Sequence, residues 1–180
     1  MKSPVVVLGV SGSIAAYKAA DIASQLVKIG AEVRVVMTAA AERFVTPLTL
    51  QTLSRNEVIR STSDIEADWK PVHIDLADRA TLLLIAPATA NLIAELALGL
   101  AGHPLAEIAL ATQAPILVAP AMNGHMWEHP ATQTNVQTLQ QRGVRFIGPA
   151  SGQLACGYAG IGRLADPVDI VATAKTFLNS

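Results

Sequence analysis

Short runs that are almost wholly apolar recur along the chain, each followed by a stretch with apolar residues at helical spacing. Pro4–Gly9, Thr81–Ala86 and Ile116–Ala119 carry no alternation and read as strands buried on both faces. Glu32–Met37 alternates into a further strand, and Val144–Ile147 reads as the last. Between them, Ile14–Ile29 repeats Ala16, Ala19, Ala20, Ala23, Leu26 and Val27 on one helical face and stops at Gly30. Helices are also predicted over 39–53 (interrupted at Pro47), 89–98, 105–111, 131–142 and 167–178. Residues 55–72 are more polar and read as a surface excursion, and Pro71–Leu76, which contains His73, as a short segment of strand character. Strands alternating with helices predict parallel pairing through right-handed crossovers. The expected fold is a three-layer α/β/α domain, Rossmann-like and flavodoxin-like, with a mostly parallel sheet spanning residues 1–180.

Composition sharpens this picture. Hydrophobic residues make up 51 % of the 180 and charged residues 15 %, which suits a sheet covered on both faces and surface hidden in an oligomer. No apolar run reaches the ~20 residues of a membrane span. Thirteen basic and 14 acidic residues are dispersed along the chain, and aromatics are 4 %, so nothing provides a basic footprint or stacking surface for nucleic acid. The start of the chain runs straight into a strand, and the single cysteine excludes an internal disulfide. A cytoplasmic protein with a free thiol is expected.

The chemistry-bearing residues cluster after strand ends, where open α/β sheets bind ligands. Gly9-Val10-Ser11-Gly12-Ser13 joins the first strand to the first helix and offers close backbone approach, hydroxyls and free N–H groups to a phosphate. It lacks the dinucleotide and P-loop spacings, and it equally makes an ordinary turn with a serine cap. Thr38 ends the second strand. Pro87-Ala88-Thr89-Ala90-Asn91 opens a helix, with Thr89 either a cap or part of a wall for a flat ring. His73 is as readily a half-buried structural residue as a general base. Pro120-Ala121-Met122-Asn123-Gly124-His125-Met126-Trp127 combines an amide, two thioethers and an indole past a strand end, and Cys156 lies in a glycine-rich segment without a packing pattern. His103, His125 and His129 have no metal-ligand spacing with one another or with Cys156, and no metal site is assigned.

Four ordered motifs resemble the homo-oligomeric flavin-containing cysteine decarboxylases over nearly the whole chain: the Ser11-Gly12-Ser13 turn, His73, the Pro120–Trp127 octapeptide and Ala155-Cys156-Gly157. The resemblance implies FMN as cofactor, with Gly12, Ser13, Ile14 and Thr38 around its phosphate and Thr89, Ala90, Asn91, Leu92 and Ala121 along the flavin. It implies His73 as catalytic base and Asn123 on the substrate carboxylate, with Met126 lining the pocket. Gln153, Leu154 and Ala155 would belong to a flap, and Cys156 would donate a late proton. The implied reaction converts 4′-phosphopantothenoylcysteine to 4′-phosphopantetheine in coenzyme A biosynthesis. Oxidation of CH₂–SH to a thioaldehyde provides the electron sink for loss of CO₂, and the resulting enethiol is then reduced.

Cys156 favours this branch over the peptidyl-cysteine decarboxylases of lantibiotic type, which do not use that cysteine. A non-catalytic FMN-binding regulatory subunit is a further alternative, although its fungal examples carry long acidic extensions. A flavodoxin-like electron carrier has no need of His73, Asn123 and Cys156. Family members form trimers, or dodecamers built of trimers, and a phosphopantothenoylcysteine synthetase is either fused or separate. Ala101-Gly102-His103-Pro104-Leu105 departs from the family pattern.

Overall fold

The computed structural model describes residues 3–61, 70–153, 157 and 159–178. Five parallel strands, β1 (Val5–Val10), β2 (Glu32–Met37), β3 (Leu82–Ala88), β4 (Ile116–Pro120) and β5 (Arg145–Phe146), form one sheet in the order β2-β1-β3-β4-β5. All residues of β1 and β3 are buried, as the unbroken apolar runs require of central strands covered on both faces. Alternate side chains divide between two cores. Val6, Leu8, Leu84 and Leu117 pack with α1 (Lys18–Lys28) and α8 (Pro167–Leu178). Val7, Leu83, Ile85 and Val118 pack with α3 (Val72–Arg79), α4 (Ala90–Leu98), α5 (Pro104–Ala111) and α7 (Pro130–Gln141). Each such side chain stabilises the fold by roughly 1.5–3 kcal/mol, so the two cores decide the three-layer arrangement.

Three local features differ from the sequence reading. The His73 segment is helical, not a strand. Its Val72, His73, Ile74, Asp75, Leu76 alternation is real, but Val72, Leu76 and Ala77 also share a helical face, and that face is the one buried. The first helix opens as a 3-10 turn, Ile14–Tyr17, before α1. Within the polar 55–72 stretch, Ile59 bridges Val36 on the outer edge of β2, accepting from Met37 N–H and donating to Val35 O at 2.9 Å each. α2 (Pro47–Ser54) follows its Thr46 cap.

Two elements went unpredicted. A one-turn helix, α6 (Gly124–Glu128), begins inside the octapeptide. An antiparallel hairpin, β6 (Ala150–Gln153) with β7 (Ala159–Arg163), forms from the glycine-rich segment. Gly152, Gly160 and Gly162 leave that hairpin no alternating apolar face to read. β7 lies against the octapeptide: Met122 N–H donates to Gly162 O at 3.0 Å. A Cβ on Gly162 would collide with the Met122 carbonyl, and its φ of 138° disfavours any side chain.

Candidate active site

The strand order reverses between β1 and β3, and the crevice beyond their carboxyl ends is the expected ligand position in such sheets. Ser11 closes the floor there. Its N–H and Oγ donate to Pro87 O at 3.2 and 2.8 Å, and Oγ accepts from Thr89 N–H at 3.0 Å. A 2 % exposed hydroxyl with all these partners joins the two strand ends. Sequence reading placed Ser11 in a turn whose hydroxyls suit a phosphate; its buried bridging role depends on β1 and β3 being neighbours.

Above this floor lies a cleft of about 980 Å³, within the size range of a cofactor site. Chain segments distant in sequence line it: Gly12, Ser13 and Ile14 after β1, Thr38 after β2, Thr89, Ala90, Asn91 and Leu92 after β3, Ala121, Asn123 and Met126 after β4, and Gln153 on β6. Met122 of the octapeptide and His103 of the departing segment line it as well, as do Tyr17, Lys18, Glu95 and Arg163, to which the sequence reading gave no role. The cap readings of the turn serine and Thr89 are also realised, and Asn123 caps α6, which the sequence reading did not foresee. Ser13 Oγ accepts from Ala15 N–H at 3.3 Å, Thr89 Oγ1 from Leu92 N–H at 3.3 Å, and Asn123 Oδ1 from His125 N–H at 2.9 Å. Capping and lining the cleft are compatible, because the caps sit where helices begin at the strand ends.

Two observations suit one end of the cleft to an anion. A Cβ on Gly12 would stand 2.5 Å from Ala40 Cβ, so only glycine lets the turn pack this closely on the segment after β2. Thr38 Oγ1 is buried without a hydrogen-bond partner among the described residues, although its own N–H donates to Val10 O at 3.0 Å. A buried hydroxyl left unpaired costs about 1–3 kcal/mol, which a ligand oxygen would recover. Lys18 and Arg163 also line the cleft and add positive charge to it.

His73 does not line this cleft. It projects from α3 with Nδ1 3.3 Å from Glu107 Oε2 on α5, both side chains about three-quarters buried. Neither atom makes another hydrogen bond among the described residues. Glu107 lies one turn along α5 from His103, which lines the cleft. A carboxylate at Nδ1 favours the tautomer that leaves Nε2 as a base. Trp127 packs against the core, and its carbonyl accepts from Gln133 Nε2 at 2.6 Å. Leu154, Ala155 and Cys156 lie outside the described residues. Among the described residues no cluster of three His, Cys, Asp or Glu could hold a metal ion, and no helix is long and apolar enough to cross a membrane.

The flavoprotein family model matches residues 1–179. The chain belongs to the flavoprotein family. It is 49 % identical over 172 residues to the coenzyme A biosynthesis bifunctional protein CoaBC of Vibrio vulnificus, a match covering 96 % of this chain and 43 % of that protein. The chain thus spans less than half the length of that curated relative. Among solved structures it is similar to a cysteine-to-serine mutant of PPC decarboxylase complexed with pantothenoylaminoethenethiol, at a TM-score of 0.89 and 34 % identity over 99 % of this chain and all of the other. It is also similar to the FMN binding protein AtHal3, at 0.83 and 34 % over 98 % and 97 % of the two chains.

Proposed function

We propose that this flavoprotein catalyses the FMN-dependent decarboxylation of 4′-phosphopantothenoylcysteine to 4′-phosphopantetheine. The observation that carries the reading is the convergence, in one cleft, of an anion cradle holding a buried Thr38 hydroxyl, unpartnered among the described residues, with the Asn123 amide and Met126. The relatives' names support it: one is a coenzyme A biosynthesis protein, one a PPC decarboxylase and one an FMN binding protein.

Gly12, Ser13, Ile14 and Thr38 would hold the FMN phosphate, and Thr89, Ala90, Asn91, Leu92 and Ala121 would border its ring. When bound, FMN supplies the reversible two-electron oxidation of the substrate CH₂–SH, without which the carboxylate has no electron sink on leaving. Asn123 would hold that carboxylate through a neutral amide. A full ion pair would stabilise the charged ground state more than the transition state, in which that charge is lost. His73, with Glu107 at Nδ1, would accept a proton at Nε2. Gln153, Leu154 and Ala155 would close over the substrate, and Cys156 would return a proton at the end of the cycle. His73 lies outside its own chain's cleft, whereas Ile14 and Tyr17 line the cleft and are 61 % and 59 % exposed. Both facts support a homo-oligomer, a trimer or trimers assembled into a dodecamer, in which a second copy covers the cleft and brings its own His73 to it. A synthetase domain, fused or separate, would supply the substrate.

The test is mass spectrometry of the FMN-loaded protein with 4′-phosphopantothenoylcysteine and, in parallel, a peptide ending in cysteine. Formation of phosphopantetheine is the expected result. Loss of CO₂ from the peptide alone would assign the chain to the peptide-modifying branch, and no change in either would overturn the decarboxylase reading.

A further inference from the structure

α4 and the start of α5 join three polar side chains of the cleft wall into one relay. Asn91 and Glu95 stand four residues apart on α4 and share a face. His103 caps α5, with Pro104 at its first position. The hydrogens of this relay follow from chemistry. His103 Nδ1 accepts from Ala106 N–H at 3.3 Å and so carries no proton of its own. The neutral ring therefore has its hydrogen on Nε2, which donates to Glu95 Oε2 at 3.0 Å. The other carboxylate oxygen, Oε1, accepts from Asn91 Nδ2 at 2.9 Å. A carboxylate has no hydrogen to give, so the Asn91 amide must turn its NH₂ to Glu95 and its carbonyl oxygen away from it.

Asparagine, aspartate or serine would cap α5 as well as histidine or better. A histidine at the cap is explained by its second nitrogen, which reaches a carboxylate that the cap alone does not require. Glu95 and His103 are each about three-quarters buried, so the relay is shielded enough to keep one orientation. We infer that His103 is a positioning residue: through Glu95 it holds the Asn91 amide so that its oxygen accepts a hydrogen bond from a ring N–H of the bound flavin. This inference rests on the reading that the cleft holds FMN with Asn91 along its ring.

The experiment is titration of the apoprotein with FMN, followed by quenching of flavin fluorescence, for His103→Asn, Asn91→Leu and the double variant. Asparagine at 103 keeps a cap acceptor for Ala106 N–H but is too short to reach Glu95. The expected result is a Kd raised about three- to tenfold in His103→Asn, the size of one lost hydrogen bond. The expected loss in Asn91→Leu is at least as large, with no further loss in the double variant. Should His103→Asn prove unstable in an apoprotein melt, Glu95→Ala takes its place with the same expectation. Wild-type affinity in Asn91→Leu would overturn the contact between Asn91 and the ring. A weakened Asn91→Leu beside an unchanged His103→Asn, or losses that add in the double variant, would overturn the relay and leave that contact standing.

Discussion

Thr38 is a residue of the cleft whose hydrogen bonding a ligand oxygen would complete. Its buried Oγ1 has no partner among the described residues and sits in the cradle formed with Gly12. Thr38→Val keeps the shape and removes the hydroxyl, so two opposite effects are expected. The apoprotein should melt about 2–4 °C higher, since an unpaired hydroxyl worth roughly 1 kcal/mol is gone. FMN should bind about ten- to a hundredfold more weakly, because a hydrogen bond to a charged phosphate oxygen is lost. Calorimetric melting and FMN titration read the two effects, and a variant unchanged in both would remove Thr38 from the cofactor site.

Glu107 makes a comparable case at a single side chain. With Oε2 3.3 Å from His73 Nδ1, it would set which imidazole nitrogen carries the proton. Glu107→Leu is expected to lower kcat about tenfold or more with FMN content unchanged, as when a carboxylate that orients a catalytic histidine is removed. Nitrogen NMR of the His73 ring should show the proton moving from Nδ1 towards Nε2. A wild-type nitrogen spectrum in the variant would mean that Glu107 does not set the tautomer. The strand-end position of Thr38 was legible in sequence, but the role of Glu107 was not. Glu107 lies on an apolar helix, and its partner is 34 positions away on a different one.

At the scale of elements, strand and helix assignments followed the apolar periodicity wherever one face dominated. They failed where two periods coincided or where side chains were too small to make a pattern. Val72, His73, Ile74, Asp75 and Leu76 satisfy both a twofold and a helical repeat, and packing of Val72, Leu76 and Ala77 on the sheet chose the helix. The β6–β7 hairpin has no apolar stripe, and the contact between Gly162 and the Met122 carbonyl locates it. Gly162→Ala should therefore shift the octapeptide, weakening substrate binding more than FMN binding, because Asn123 and Met126 follow directly from Met122. Separate measurement of the KM for substrate and the Kd for FMN checks this; equal losses would mean the hairpin supports the whole cleft. Ser11→Ala removes the side-chain bonds joining the ends of β1 and β3. It should destabilise the domain by about 1–3 kcal/mol in urea unfolding, whereas an unchanged midpoint would mean that water replaces the hydroxyl.

The whole molecule sets the last prediction. If each working site takes Asn123 from one copy and His73 from another, then His73→Asn and Asn123→Ala are each inactive alone. Unfolded together and reassembled, they should recover activity up to about a quarter of the wild-type rate, the share of interfaces joining an intact His73 to an intact Asn123. No recovery, with mixed oligomers demonstrated by mass, would place His73 and Asn123 of one copy in the same site.

Much of this architecture is written locally. Parallel strands buried on both faces must be continuously apolar, and helices that cover them must carry an apolar stripe, so the three-layer domain is legible from residue spacing. Turn chemistry at the strand ends is local as well, which is why Gly12, Ser13, Thr89 and Asn123 stand out before any fold is known. Strand order and long-range packing are not local. They turn the ends of β1, β2, β3 and β4 into one cleft, make Ser11 a bridge, leave the Thr38 hydroxyl without a partner among the described residues, and link Asn91, Glu95 and His103. They also place His73 on a helix beside Glu107 and outside its own chain's cleft. A periodic pattern records how one segment meets the core; which segments meet one another is decided when the burial of all of them is satisfied together.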